Sequence, residues 1–193
     1  MKRFLKNAVM SMIVVTGMVE VAMAGEASSN AYADSGWGRR EGTAGASANY
    51  EGDGGQGLAK TCTFSGPLNR ARGWAVGVDR DGIDFSFSHA FATPFGPGYA
   101  GTFNLSIGRD GSISRSLGNS VAEGGAARSV EAGGITRSNW QGTSSQATAT
   151  GNTVGGGEVK AATESYNRPP IKVYRSNPSQ GRHIAVQPRG WGR

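Results

Sequence analysis

The chain is poor in the groups from which active sites are usually built. Its 193 residues include one cysteine, Cys62, and two histidines, His89 and His183. A single thiol cannot close an internal disulfide, so no covalent framework exists. Set between Thr61 and Thr63, Cys62 is expected to be buried as a small apolar residue, with a disulfide between chains as the alternative. After residue 24 no apolar period of 3.6 residues lasts three turns, which argues against any helix in the rest of the chain. Nor does any later run approach the ~20 apolar residues that a spanning helix needs. Large apolar side chains are scarce outside residues 64–117. Glycine, at 32 of 193 residues, is more than twice as common as the ~7% of ordinary domains. Acids are absent from residues 168–193.

What is present begins with an export pattern. Lys2, Arg3 and Lys6 precede an apolar stretch from Ala8 to Val19, and Ala22-Met23-Ala24 supplies the small-x-small site that a signal peptidase accepts. Residues 1–24 are therefore expected to be a signal peptide cut after Ala24, leaving Gly25 as the new N-terminus. The apolar stretch is too short for a transmembrane anchor, and no cysteine stands at the cut to carry a lipid. The expected destination is periplasmic, cell-surface or extracellular.

Removal of Lys2, Arg3, Lys6 and Glu20 lowers the formal charge from +6 to +4. The tail holds six cations, Arg168, Lys172, Arg175, Arg182, Arg189 and Arg193, so residues 25–167 carry a net −2. A near-neutral body with a basic arm is implied. Such an arm attracts polyanions. In an exported protein the expected partner is an anionic envelope polymer or a membrane surface, not nucleic acid. Tyr174 and Trp191 offer stacking or interfacial contacts, while Pro169, Pro170, Pro178 and Pro188 oppose regular structure in the tail.

From Gly73 the pattern acquires period two, as expected of strands with one buried face. Trp74, Val76 and Val78 alternate with Ala75, Gly77 and Asp79. Past Arg80-Asp81-Gly82, the residues Ile83, Phe85, Phe87, His89 and Phe91 alternate with Asp84, Ser86, Ser88 and Ala90. The larger side chains are expected inside, and Gly82 is expected to supply a positive φ to a hairpin turn. The arrangement recurs with Phe103, Leu105 and Ile107, the turn Arg109-Asp110-Gly111, and then Ile113 and Leu117. Two weaker hairpins are expected, one around Ala132-Gly133-Gly134 and one around residues 151–157.

The expected fold is all-β, an antiparallel meander of six to eight short strands, either a single curved sheet or a small sandwich. Residues 61–166 form its β-rich domain. Residues 25–60, glycine-, alanine- and serine-rich, read as a flexible leader with a possible strand at Ala46–Tyr50. Residues 167–193 read as a disordered basic tail. The girdles and regular segments of an outer-membrane barrel are missing from the second half.

No motif marks an enzyme, and neither a catalytic residue nor a cofactor is expected. His89, on the strand face of Phe87 and Phe91, is expected as a buried or half-buried neutral side chain. Asp79, Asp81 and Asp84 form the sharpest cluster, a weak candidate for calcium, which prefers oxygen ligands. The order departs from an EF-hand loop, and Arg80 sits inside the would-be site. Asn104-Leu105-Ser106 fits a glycosylation sequon but falls within an expected strand. Two functions follow as expectations: a non-enzymatic envelope or extracellular protein, structural or adhesive, or a secreted small-ligand or calcium-binding module centred on Asp79–Asp84.

Overall fold

Alternation of small and large side chains organises the whole chain into strands. The computed structural model describes residues 25–36, 41–52 and 55–171, and no helix occurs among them. Ten strands follow in order: β1 (Gly25–Asp34), β2 (Ala44–Glu51), β3 (Gln56–Phe64), β4 (Asn69–Val78), β5 (Gly82–Ala92), β6 (Gly98–Gly108), β7 (Ile113–Gly124), β8 (Ala127–Asn139), β9 (Gly142–Val154) and β10 (Gly157–Arg168). They form two antiparallel sheets, β2-β1-β8-β9 and β10-β7-β6-β5-β4-β3. The sheets pack face to face as a sandwich. β3 and β10 are exposed throughout, at the two edges of the larger sheet. The expected all-β antiparallel architecture is present, and β3 to β7 run as a true meander.

The faces are the reverse of what hydrophobicity suggests. On β5 the inward side chains are Asp84, Ser86, Ser88, Ala90 and Ala92, all buried. Ile83, Phe85, Phe87, His89 and Phe91 point outward. Across the interface β1 contributes Ala27, Ser29, Ala31 and Ala33, and β8 contributes Val130, Ala132, Thr136 and Ser138. Such faces interdigitate only when both are small. Sheets normally pack about 10 Å apart. Here Ser86 Oγ donates directly to Gly134 O (3.2 Å), Ser106 Oγ to Arg137 O (3.1 Å) and Asn104 Nδ2 to Gln146 O (3.0 Å). A one-carbon side chain therefore spans the gap to the opposite backbone. A side chain on Gly73 would press to 2.6 Å from Ser47 O, so the sheets leave no room for Phe or Trp between them.

Asn104 is the hub of this interior. Its Oδ1 accepts from Ser86 Oγ (2.6 Å), and its Nδ2 donates to Ser116 Oγ (3.2 Å) as well as to Gln146 O. Gly134 lies directly over it, where any side chain would collide with the amide. The sequon asparagine is thus wholly buried, with its amide nitrogen engaged. Alanine methyls bury little apolar area at ~25 cal/mol per Å². The strand ladders and these cross-sheet bonds carry a correspondingly larger share of the cohesion.

Several expected boundaries move for the same reason. Residues 25–60, read as a leader because their large side chains are few, contain β1, β2 and the start of β3. β1 is a central strand, paired with β2 on one side and β8 on the other. Small residues are what this interior requires. Ala132-Gly133-Gly134 is not a turn: β8 passes straight through it, opposite Ala31, Asn30 and Ser29. Residues 151–157 do not close a hairpin either, since β9 pairs with β8 while β10 pairs with β7. The chain instead crosses between sheets at Gly155-Gly156, both in the left-handed region (φ 81° and 84°). The β7-to-β8 crossing uses Gly124-Gly125 in the same way (φ 72° and 69°). Residues 172–193, with Lys172, Arg175, Arg182, Arg189 and Arg193, lie outside the described residues, as do residues 1–24.

The inverted packing is testable. Ala90→Leu, on the inner face, is expected to cost about 1–3 kcal/mol by overpacking, lowering the thermal midpoint by several degrees. Ile83→Thr, on the outer face, is expected to cost under ~1 kcal/mol. Thermal unfolding followed by far-ultraviolet circular dichroism checks both; equal costs would contradict the face assignment.

Candidate functional site

At one end of the sandwich the β4–β5 hairpin brings carboxylates to the start of β1. Asp79 leads the turn, and its Oδ1 accepts from the backbone N–H groups of Asp81 (2.8 Å) and Gly82 (2.9 Å). This Asx turn explains the hairpin without help from Gly82, whose φ is not positive. Gly82 is small for another reason: a side chain there would strike Ile107 O. In the second hairpin Asp110 Oδ1 accepts from Ser112 N (2.9 Å) and Ser112 Oγ (2.6 Å). There Gly111 does take a left-handed φ of 79°.

Asp84, five residues after Asp79, points inward and is only 1% exposed. Ser138 Oγ donates to its Oδ2 at 2.5 Å. Its Oδ1 has no partner, nor does Asp79 Oδ2. Both carboxylates press on Gly25: a side chain there would collide with Asp79 and lie 2.9 Å from Asp84 Oδ2. Tyr50, on the inner face of β2, lies between Gly57 and Gly77, and its buried hydroxyl also lacks a partner. Burial pushes the Asp84 carboxyl above the usual carboxylate range and the nearby Asp79 charge adds to this, against the hydrogen bond from Ser138. Burial raises the Tyr50 hydroxyl as well, followed by the charges of Asp79 and Asp84.

The structure thus joins Asp79 and Asp84 but separates Asp81 from them. Asp81 lines an open cleft of about 320 Å³ with Arg80, Arg109, Asp110, Asn139 and Trp140. The two hairpin turns touch there, Arg109 N donating to Asp81 O at 2.7 Å. Among the described residues no three acidic, histidine or cysteine side chains gather as metal ligands. Tyr50 and Gly25 were not legible as members of the cluster. Tyr50 alternates with Ala46 and Ala48, and that shared face was the one available signal.

The remaining candidates are spread over the surface. Cys62, expected inside, is exposed on β3, because it stands on the outer face of that edge strand, opposite Arg72. Of the six tail cations only Arg168 lies among the described residues, closing β10 opposite Ile113. His89 is half-buried on the outer face between Phe87 and Tyr99, with ring centroids 5.5 and 5.3 Å away. Burial, then the Arg72 charge, lowers its pKa, favouring the neutral ring.

That outer face is the largest feature. Three successive cross-strand rows read Leu58-Val76-Phe85-Leu105, Val78-Ile83-Ile107-Ile113 and Trp74-Phe87-Phe103-Leu117. Leu58 is 58% exposed and Val78 51%. Charge frames the block, with Lys60 on β3 and Arg115, Glu164 and Arg168 on β7 and β10. By contrast, the outer face of the smaller sheet carries Ser28, Asn30, Gln146, Thr148 and Thr150.

The raised Asp84 pKa has a definite sign. Its contribution to stability is complete below the unfolded value of 3.8 and is lost as pH rises through the higher folded value. The full chain is expected to lose thermal stability as pH rises above the unfolded value of 3.8, and Asp84→Asn to flatten that loss. Unfolding midpoints measured across the range check it.

With this geometry in view, no family model matches the chain, and no curated protein and no solved structure matches it.

Proposed function

We propose that the chain is an exported, non-enzymatic protein of the cell envelope or extracellular space, structural or adhesive, that acts through two surfaces. The observation that carries this reading is the contiguous apolar block on the outer face of the larger sheet. Monomeric proteins rarely expose apolar patches beyond a few hundred Å². The block occupies about half of a face that six strands, ~4.8 Å apart and about 30 Å long, make on the order of 900 Å². A standard protein interface buries about 800 Å² on each partner, so a second copy of the same face is a sufficient cover. The basic arm supplies the other contact, to anionic polymers. The absence of a catalytic assignment rests on chemistry: the buried serines are largely bonded within the interior, and Ser138, the hydroxyl beside Asp84, is itself fully buried.

Self-association of residues 25–193 is the first test. Sedimentation is expected to show it at micromolar concentration, and Phe103→Glu with Leu105→Glu to weaken it at least tenfold while the strand spectrum is kept. A wild-type chain that stays monomeric at high micromolar concentration contradicts the face assignment. Deleting residues 172–193, which spares β10, is expected to abolish low-salt retention on anionic envelope material. Unchanged retention contradicts the role of the arm.

A calcium-binding module is a second reading, favoured by the unpaired oxygens of Asp79 and Asp84. It expects millimolar calcium to raise the thermal midpoint of the wild type but not of Asp79→Asn. No shift in the wild type ends it.

A further inference from the structure

We propose that the α-ammonium group of Gly25, created by cleavage after Ala24, is the counter-charge of the Asp79–Asp84 carboxylate pair. The inference rests on the export reading above and gives the cut a structural consequence. Signal removal would then complete an ion pair inside the fold as well as releasing the chain.

The geometry that supports it converges on one backbone position. Gly25 is buried, begins β1 and pairs with Ser138, the same residue whose hydroxyl holds Asp84 Oδ2. Its α-carbon lies against both carboxylates, and no side chain fits there. The α-nitrogen is ~1.46 Å from that carbon, which places it within about 5 Å of Asp79 Oδ2. Of the two carboxylate oxygens nearest this point, Asp79 Oδ2 has no partner and Asp84 Oδ2 accepts from Ser138 Oγ, while the other Asp84 oxygen, Oδ1, is also without a partner. An unpaired buried carboxylate is costly, and a cation within hydrogen-bonding reach offsets much of that cost. A peptide nitrogen at Gly25 has one proton and no charge, whereas a free amine has three protons and a full charge.

No side-chain cation among the neighbouring groups described takes this role. The β4–β5 hairpin presents Asp79 and Asp84, and β2 presents Tyr50. β6 and β8 present Ser106, Thr136 and Ser138. Arg137 lies on the other face of β8 and bonds Glu26 at 2.6 Å.

The pH signs follow. An α-amine of unfolded pKa ~7.7–8.0 has a raised folded value in this site. Its stabilisation is complete below the unfolded value and is lost as pH rises through the folded one. The ammonium opposes the burial that raises the Asp84 carboxyl.

The test compares residues 25–193 bearing a free Gly25 amine with the same chain Nα-acetylated, which removes the charge. At pH 6 the free form is expected to unfold about 3 °C or more higher, with the difference fading above pH 9. The Asp79→Asn, Asp84→Asn double variant is expected to abolish it. Should the acetylated chain fail to fold, titration of the free form by NMR with labelled glycine still decides: a Gly25 amine pKa about one unit or more above 8 supports the pair. Equal midpoints at pH 6, or an unshifted amine, overturn it. So does equal stabilisation of both forms by millimolar calcium, which would make a metal ion the counter-charge. Mass analysis of the exported protein separately locates the cut. A terminus other than Gly25 refutes the cleavage assumption, while the prepared Gly25 chain still reports on the ion pair.

Discussion

The separation between the two sheets is the constraint on which the rest of the structure depends. Serine and asparagine side chains reach across it to the opposite backbone, so inward positions away from the ends are filled by alanine, serine, glycine or another compact residue, and Tyr50 fits at one end only because Gly57 and Gly77 make room for its ring. That requirement expels the aromatic and aliphatic residues to the outer face of the larger sheet. It also explains the glycine content in part: Gly73 and Gly134 stand where a side chain would strike the opposing sheet. An interior of this kind gains little from hydrophobic area. It is specified instead by direction-dependent bonds around Asn104, which fix the lateral register of one sheet over the other.

Period-two alternation made the strands from Gly73 to Leu117 legible, along with both Arg-Asp-Gly turns. Which side of each strand faces inward was not. Hydrophobicity ranks Phe85 and Phe87 above Ser86 and Ser88, and only the matching small face of β1 and β8 reverses that ranking. The same blindness turned Gly25–Asp34 into a leader, since Ala27, Ala31 and Ala33 look too small to hold a strand in place. Gly133-Gly134 looked like a turn because a glycine that admits a neighbouring side chain cannot be told locally from one that bends the chain. Of the candidate cluster, Asp79 and Asp84 were readable from spacing alone. Tyr50 and Gly25 join them through pairings that no local pattern encodes.

The two outer faces divide the molecule chemically. One is a polar array of Ser, Thr, Asn and Gln on the smaller sheet; the other is an apolar block framed by charge. Between them, ionisable groups enter the interior mainly near its ends, with Asp84 and Tyr50 at one and Arg128, bonded to Thr93 O and Pro94 O, at the other. The middle of the sandwich is uncharged. Electrostatic change at either end therefore acts on the margins of the sheet pairing and leaves the Asn104 network intact.

The pairing of β1 with β8 also governs how the chain must fold. Glu26 and Arg137, joined across that pair, are separated by 111 residues. A central strand of the smaller sheet has no permanent neighbour on that side until almost the whole body has been synthesised. Closing so long a loop has to precede the contacts that reward it, which makes such topologies slow to fold. The meander from β3 to β7 has only short loops to close and needs no such wait. Such a topology favours assembly from the middle outward, with the β1–β8 pairing among the last to be locked. A chain of this topology stays open along the free side of its first strand for longest.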